Sequence, residues 1–203
     1  MMTVGHTGGS IAKYPSRFLR GLTSRSTRTL LGGPAARPSS RRLAWFGRAH
    51  QVQSGGDDRT REDIAKYGCS IMHVMEEDEL PPFGYSIGIT QQTGAPEVAI
   101  FGLKRPIAHF VVNEYNRRVQ AGERFESGNF YSGFLEGYDV FVEDVPLTAY
   151  KDYFGQDIDF YGGLNFKVLQ FIYPTTKGVW PWAEDAPESF RKWQPILAKV
   201  GRA

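Results

Sequence analysis

A chain of 203 residues with a single cysteine, 41% hydrophobic and 23% charged residues can bury one core of ordinary size, excludes an intrachain disulfide and needs none. Its formal net charge of +2 averages two unlike parts: residues 1–56 carry nine Lys or Arg and no Asp or Glu, whereas residues 57–203 carry 15 against 22. The overall basic balance therefore belongs to no real surface and gives no warrant for nucleic-acid binding.

Residues 1–56 are rich in Arg, Ser, Gly and Thr and sustain no helical or strand period, so they are expected to be a disordered basic arm. An Arg-rich, Ser-rich, acid-free leader is also how an organellar transit peptide reads, with Ser16 to Leu31 as a weak amphipathic helix. The plainer reading is a solvated tail or an upstream extension. A nucleic-acid grip ranks last, because few aromatics beyond Phe18, Trp45 and Phe46 interleave the charges. The domain is expected over 57–203, opening with a short helix from Asp58 to Tyr67 that Gly68 stops.

Cys69 to Met75 alternates and predicts a strand, linked by the acidic run 76–79 and Pro81-Pro82 to the stretch on which the fold turns. There Tyr85, Ile87 and Ile89 alternate with Ser86, Gly88 and Thr90, a half-buried strand that the Gln-Gln-Thr-Gly-Ala-Pro run then turns. Val98 to Phe101 with Leu103 is a near-continuous apolar run, the pattern of a central strand buried on both faces. Pro106 suits the first turn of a helix and Gly122 closes it. Ile107, Val111, Tyr115 and Val119 form its packing stripe, with Asn113, Asn116, Arg117 and Gln120 on the wet side.

Gly133 to Val145 predicts a strand carrying Tyr138, Val140 and Val142, ended by Pro146. Tyr150 to Tyr161 reads as two short helical turns broken at Gly155. Phe166 to Tyr173 is a strand with Phe166, Val168, Gln170 and Ile172 on one face, which sets the Gln170 amide against a packed interior. A turn at Lys177-Gly178 returns the chain to Trp180 and Trp182, and 189–200 forms a small helix or clip. The whole is an α+β domain: a mainly antiparallel, curved sheet of five or six strands, barrel-like in one version, with one principal packed helix.

Chemistry is sparsely signalled. His109 lies at about 200° from Ile107 around the helix, facing partly away from the core, where it serves as a base or simply as a surface residue. Cys69 and His73 share a strand face but have no visible orienting third group. No zinc spacing occurs, so no metal is expected, and the loops GxGxxG, GxxxxGK[ST] and GxSxG are absent. No cofactor is indicated and no catalytic residue can be named. The remaining signal is aromatic density with a few polar handles, which lines ligand pockets and also packs ordinary cores.

In order along the chain, PPFGYSIGIT, GAPEVAIFGL, the IAH helix, RVQAGERF, YFG, FYGG, VLQFIYP, GVWPW and QP resemble the DUF 4262 family, a domain of unknown function, from about Gly68 to Leu197. The resemblance implies a compact α+β domain, mostly bacterial company and no established activity. It departs at Ala95, where the family often has a His before the Pro-Glu pair. His109, Tyr161, Gln170, Trp180 and Trp182 match positions of the family motifs and, with Tyr85, are the candidate ligand-binding residues. The expectation is a soluble, cytoplasmic domain that binds a small molecule in an aromatic-lined pocket, as an enzyme or as a plain binder. The alternative is a protein-interaction module, immunity-like or regulatory, using the acidic surface. An organellar address follows only if the arm is a transit peptide, and no membrane partner is expected.

Overall fold

The computed structural model describes residues 55–77 and 80–200; the expected basic arm, apart from its last two glycines, lies outside them. In chain order the elements are α1 (Gly55–Tyr67), β1 (Ser70–Val74), β2 (Phe83–Ile87), α2 (Ile89–Thr93), β3 (Glu97–Phe101) and α3 (Arg105–Gln120). Then follow β4 (Phe130–Leu135), β5 (Tyr138–Asp144), a single 3-10 turn (Leu147–Ala149), α4 (Tyr150–Tyr153), α5 (Gly155–Tyr161), β6 (Val168–Ile172), α6 (Glu188–Trp193) and α7 (Leu197–Val200). The strands form one sheet in the order β1-β2-β3-β6-β5-β4. Only β3 and β6 run parallel; every other neighbouring pair is antiparallel. The sheet ends in edges at β1 and β4, so the barrel-like version is corrected to an open sheet.

β3 and β6 occupy the centre, and all five residues of each are buried. Alternation divides their side chains between two cores. Val98, Ile100, Leu169 and Phe171 meet Val111, Val112 and Tyr115 of α3 on one side. Ala99, Phe101 and Val168 meet Tyr85, Tyr150 and Phe154 on the other. Phe171 stands edge-to-face with Phe134 at 4.8 Å and with Tyr115 at 5.5 Å, pairings worth about 0.5–1.5 kcal/mol each beyond the area they bury.

Four local readings are corrected. The alternation through Ile89 does not continue as strand: Gly88 takes φ 99°, and the reversed chain winds into α2. The buried stripe of α3 is Ala108, Val111, Val112, Tyr115, Asn116 and Val119, rotated away from Ile107, which is 43% exposed. Asn116 is buried rather than wet, its amide donating to Tyr67 O at 2.8 Å at the end of α1, where a helix leaves carbonyls without intrahelical partners. The segment before Tyr138 is an edge strand in its own right, β4, paired to β5 with a register shift between Tyr131 and Leu135. That irregularity, centred on Gly133 at φ 86°, erases the period-two signal.

Two glycines mark close approaches. A Cβ on Gly84 would lie 3.3 Å from Ala108 Cβ, so the missing side chain lets α3 settle on β2. Gly102, at φ 75°, would place a Cβ 2.7 Å from Trp193 O and 2.6 Å from Trp193 Cδ1. Gly94 has a similar φ of 72° but open space around it. Gly102→Ala is therefore expected to cost about 2–4 kcal/mol, from left-handed strain and overlap together, and Gly94→Ala only about 1–2 kcal/mol from strain. Urea unfolding of the two variants measures the difference; equal losses would mean that the Trp193 contact is not a constraint.

Candidate functional site

Three places in the domain concentrate chemistry. The first is a groove of about 900 Å³. Leu103, Ile107 and Phe110 form one wall at the start of α3. The β4–β5 hairpin supplies Phe134, Leu135 and Tyr138 opposite, and Tyr173, Thr175 and Phe190 complete it from the chain after β6. Ile107 and Phe110, at 43% and 55% exposure, lie off the buried stripe of α3 and line this space instead. The Tyr138 hydroxyl donates to Thr176 O at 2.7 Å, fixing the hairpin to the segment after β6.

The second is a histidine pair. His73 on β1 stands opposite Gly84 in register, and His73 Nε2 lies 3.2 Å from His109 Nδ1, with ring centroids 5.5 Å apart. The centroid spacing is close to the nitrogen separation plus two ring radii, so the nitrogens face one another and share one proton between donor and acceptor. Burial, then the neighbouring His109, then Arg105 push the His73 pKa down to about 4. The ring is thus neutral at pH 7. Cys69, the other member of the weighed Cys-His pair, is buried with its thiol pushed up to about 12, chiefly by burial and then by Glu97, and no thiolate nucleophile is available there.

The third is internal. Glu97, fully buried at the start of β3, accepts hydrogen bonds from Ser86 Oγ at 2.6 Å, Thr90 N at 2.8 Å and Tyr161 OH at 2.5 Å. Burial raises its pKa although these donors pull the other way. Asp157, one helical turn before Tyr161 on α5, is completely buried, and neither carboxylate oxygen has a hydrogen-bond partner. Burial first, and the Glu97 charge second, push its pKa well above the usual range.

The six expected ligand-binding residues are not gathered in one pocket. Tyr85 is 2% exposed within the core opposite α3, and Tyr161 serves Glu97. Gln170 is buried and clamps the C-terminal segment, its Nε2 donating to Pro195 O at 2.6 Å and its Oε1 accepting from Leu197 N at 2.9 Å. His109 belongs to the histidine pair. Trp180 and Trp182 stack at 4.9 Å beside Phe130 and Phe141, and Trp182 borders a separate depression of about 660 Å³. The groove residues Ile107 and Phe110 were missed because one fell in the packing stripe and the other carries no polar signal. Among the described residues no three His, Cys, Asp or Glu come together as metal ligands, and no helix is long and apolar enough to cross a membrane.

The family model described as a domain of unknown function (DUF4262) matches residues 63–187, more than half of the chain and all six strands of the sheet. The chain belongs to DUF4262. No curated protein and no solved structure matches it. The match begins inside α1 and ends just before α6, so the groove walls, the histidine pair and both buried carboxylates of this DUF4262 chain fall within it, while Phe190 does not.

The histidine pair carries a signed pH dependence. A base with a folded pKa below its unfolded value contributes stability that is present above about pH 6.5 and lost as pH falls through about 4. Removing His109 by His109→Ala takes away the second cause of the depression but not burial, the first. The His73 pKa, followed by carbon-detected NMR titration, is expected to rise in that variant and stay below 6.5. An unchanged value would show that the rings do not interact.

Proposed function

We propose that this DUF4262 chain binds a small, flat, largely apolar molecule in the groove between α3 and the β4–β5 hairpin. The observation that carries the reading is the groove itself. Its volume of about 900 Å³ falls in the range of roughly 300–1,000 Å³ that holds small ligands, and its lining is mainly apolar and aromatic with hydroxyls at Thr175 and Thr176. The support comes from shape and chemistry together. Rigid elements form both walls, so little ordering cost accompanies binding.

Ile107 and Phe110 also offer what a protein partner would bury, and a partner-only surface has no use for an isolated small probe. Nile red, neutral and flat, discriminates. It is expected to bind the full chain with a Kd on the order of 10 µM by fluorescence, about 0.3 kcal/mol per heavy atom. Phe110→Asp, a change at a half-exposed position that leaves the core intact, is expected to weaken it about tenfold or more by putting a carboxylate against the ligand. Trp182→Ala is expected to leave it unchanged. Binding that is indifferent to Phe110→Asp but lost in Trp182→Ala would move the site to the tryptophan depression and overturn the reading.

A further inference from the structure

The charge and the ring content of the groove say more than its size. Among the described residues that line it, Glu136 is the only charged one, and no Lys, Arg or His joins it. Glu136 sits at the hairpin tip between β4 and β5, exposed to solvent. Five of the lining side chains are aromatic: Phe134 and Tyr173 are buried, while Phe110, Tyr138 and Phe190 are at least partly exposed. Ring faces carry negative potential and attract organic cations, most strongly where several surround one apolar space. Lys104 and Arg105, next in the chain to lining residues, are exposed to solvent, and Arg118 has its guanidinium 4.5 Å from the Phe134 ring centroid. It is held in a two-bond pair with Glu123 and also donates to Ser132 O, so its charge is already answered outside the groove.

We infer that the groove selects organic cations: an apolar body carrying an ammonium or guanidinium, the body lying among the rings and the charged end at Glu136. The inference rests on the groove being a ligand site and adds the class of ligand. The carboxylate and the aromatic faces act in the same direction, both favouring a cation and both disfavouring an anion of the same shape. An anionic ligand would find no cationic side chain among the lining residues, its nearest compensation in the chain being the solvent-exposed Lys104 and Arg105 at the edge. Because Glu136 is exposed, its share of the selectivity is screened by salt, whereas the share from the ring faces inside the groove persists.

Three matched naphthalenes test this on the full chain by calorimetric titration at low ionic strength: 1-naphthylmethylamine as the cation, 1-naphthalenemethanol as the neutral form and 1-naphthoate as the anion. The cation is expected to bind about fivefold or more tighter than the alcohol, and the naphthoate weakest. Glu136→Gln, which keeps size and polarity at an exposed turn, is expected to shrink the ratio of cation to alcohol severalfold while leaving the alcohol unchanged. Raising the salt is expected to reduce the wild-type ratio toward that of the variant. Equal binding of all three overturns the cation assignment and leaves the groove a ligand site, and a cation preference that Glu136→Gln does not move overturns the placement of the charged end at Glu136. Failure of all three to bind overturns the groove reading and this inference with it.

Discussion

One buried carboxylate ties the domain together. Glu97 opens the central strand β3, fully excluded from water, and its two oxygens collect donors from β2 through Ser86, from α2 through the Thr90 N–H and from α5 through Tyr161. Burying a charge costs several kcal/mol unless hydrogen bonds replace its water, so these elements hold their relative positions or the carboxylate is stranded. Ser86 extends the network by accepting the Val98 N–H at 2.9 Å. Asp157 makes the arrangement more demanding, since a second buried carboxyl feels the charge of the first. Both groups have raised folded pKa values. Their contribution to stability is therefore present at acid pH and lost as pH rises through those values, opposite in sign to that of His73.

With β2, β3 and the helices around α5 fixed in this way, the groove becomes a by-product of how α3 is rotated on the sheet. The helix turns its stripe from Ala108 to Val119 inward. Ile107 and Phe110 stand beside that stripe and share the groove with residues of the β4–β5 hairpin. The edge strand β4 bends at its irregularity near Gly133, bringing Phe134 and Leu135 opposite Ile107 and Phe110. Amide clamps from Gln170 to Pro195 and Leu197, and from Gln194 back to the Tyr173 backbone, then hold α6, and with it Phe190, against the remaining side. The apolar space is open because its walls belong to elements anchored elsewhere, and not because any of its own residues fail to pack.

The fold was largely legible in the sequence wherever one physical rule dominated. β3 announced itself as an unbroken apolar run, β6 by clean alternation that also placed Gln170 correctly inside, and α3 by Pro106 at its start and Gly122 just beyond its end. The failures have particular causes. Ile89 and Thr90 continue the alternation of β2 in composition, but the left-handed Gly88 and the acceptor on Glu97 override it. Asn116 looks solvent-facing because its partner, the Tyr67 carbonyl, lies 49 residues away in the chain. Glu97 itself figured only as half of the Pro-Glu pair after Ala95, with no signal of its buried position. The groove could not be read from the chain, since Phe110 and Phe134 are ordinary apolar residues until α3 and the hairpin are set facing each other. His109 was noticed, but the His73 ring that meets it is visible only after β1 and α3 are packed.

The claim that Glu97 joins these elements is tested most directly by amide hydrogen exchange, measured by mass spectrometry on wild type and Glu97→Ala. Removing the acceptor leaves Ser86, Thr90 and Tyr161 with unpaired donors, each costing about 1–3 kcal/mol where it stays buried. Segments 83–93 and 155–161 are predicted to lose protection together by about tenfold or more, while 138–144 on the far side of the sheet holds. Faster exchange confined to 89–93, with 155–161 unchanged, would contradict the account and reduce Glu97 to a local cap.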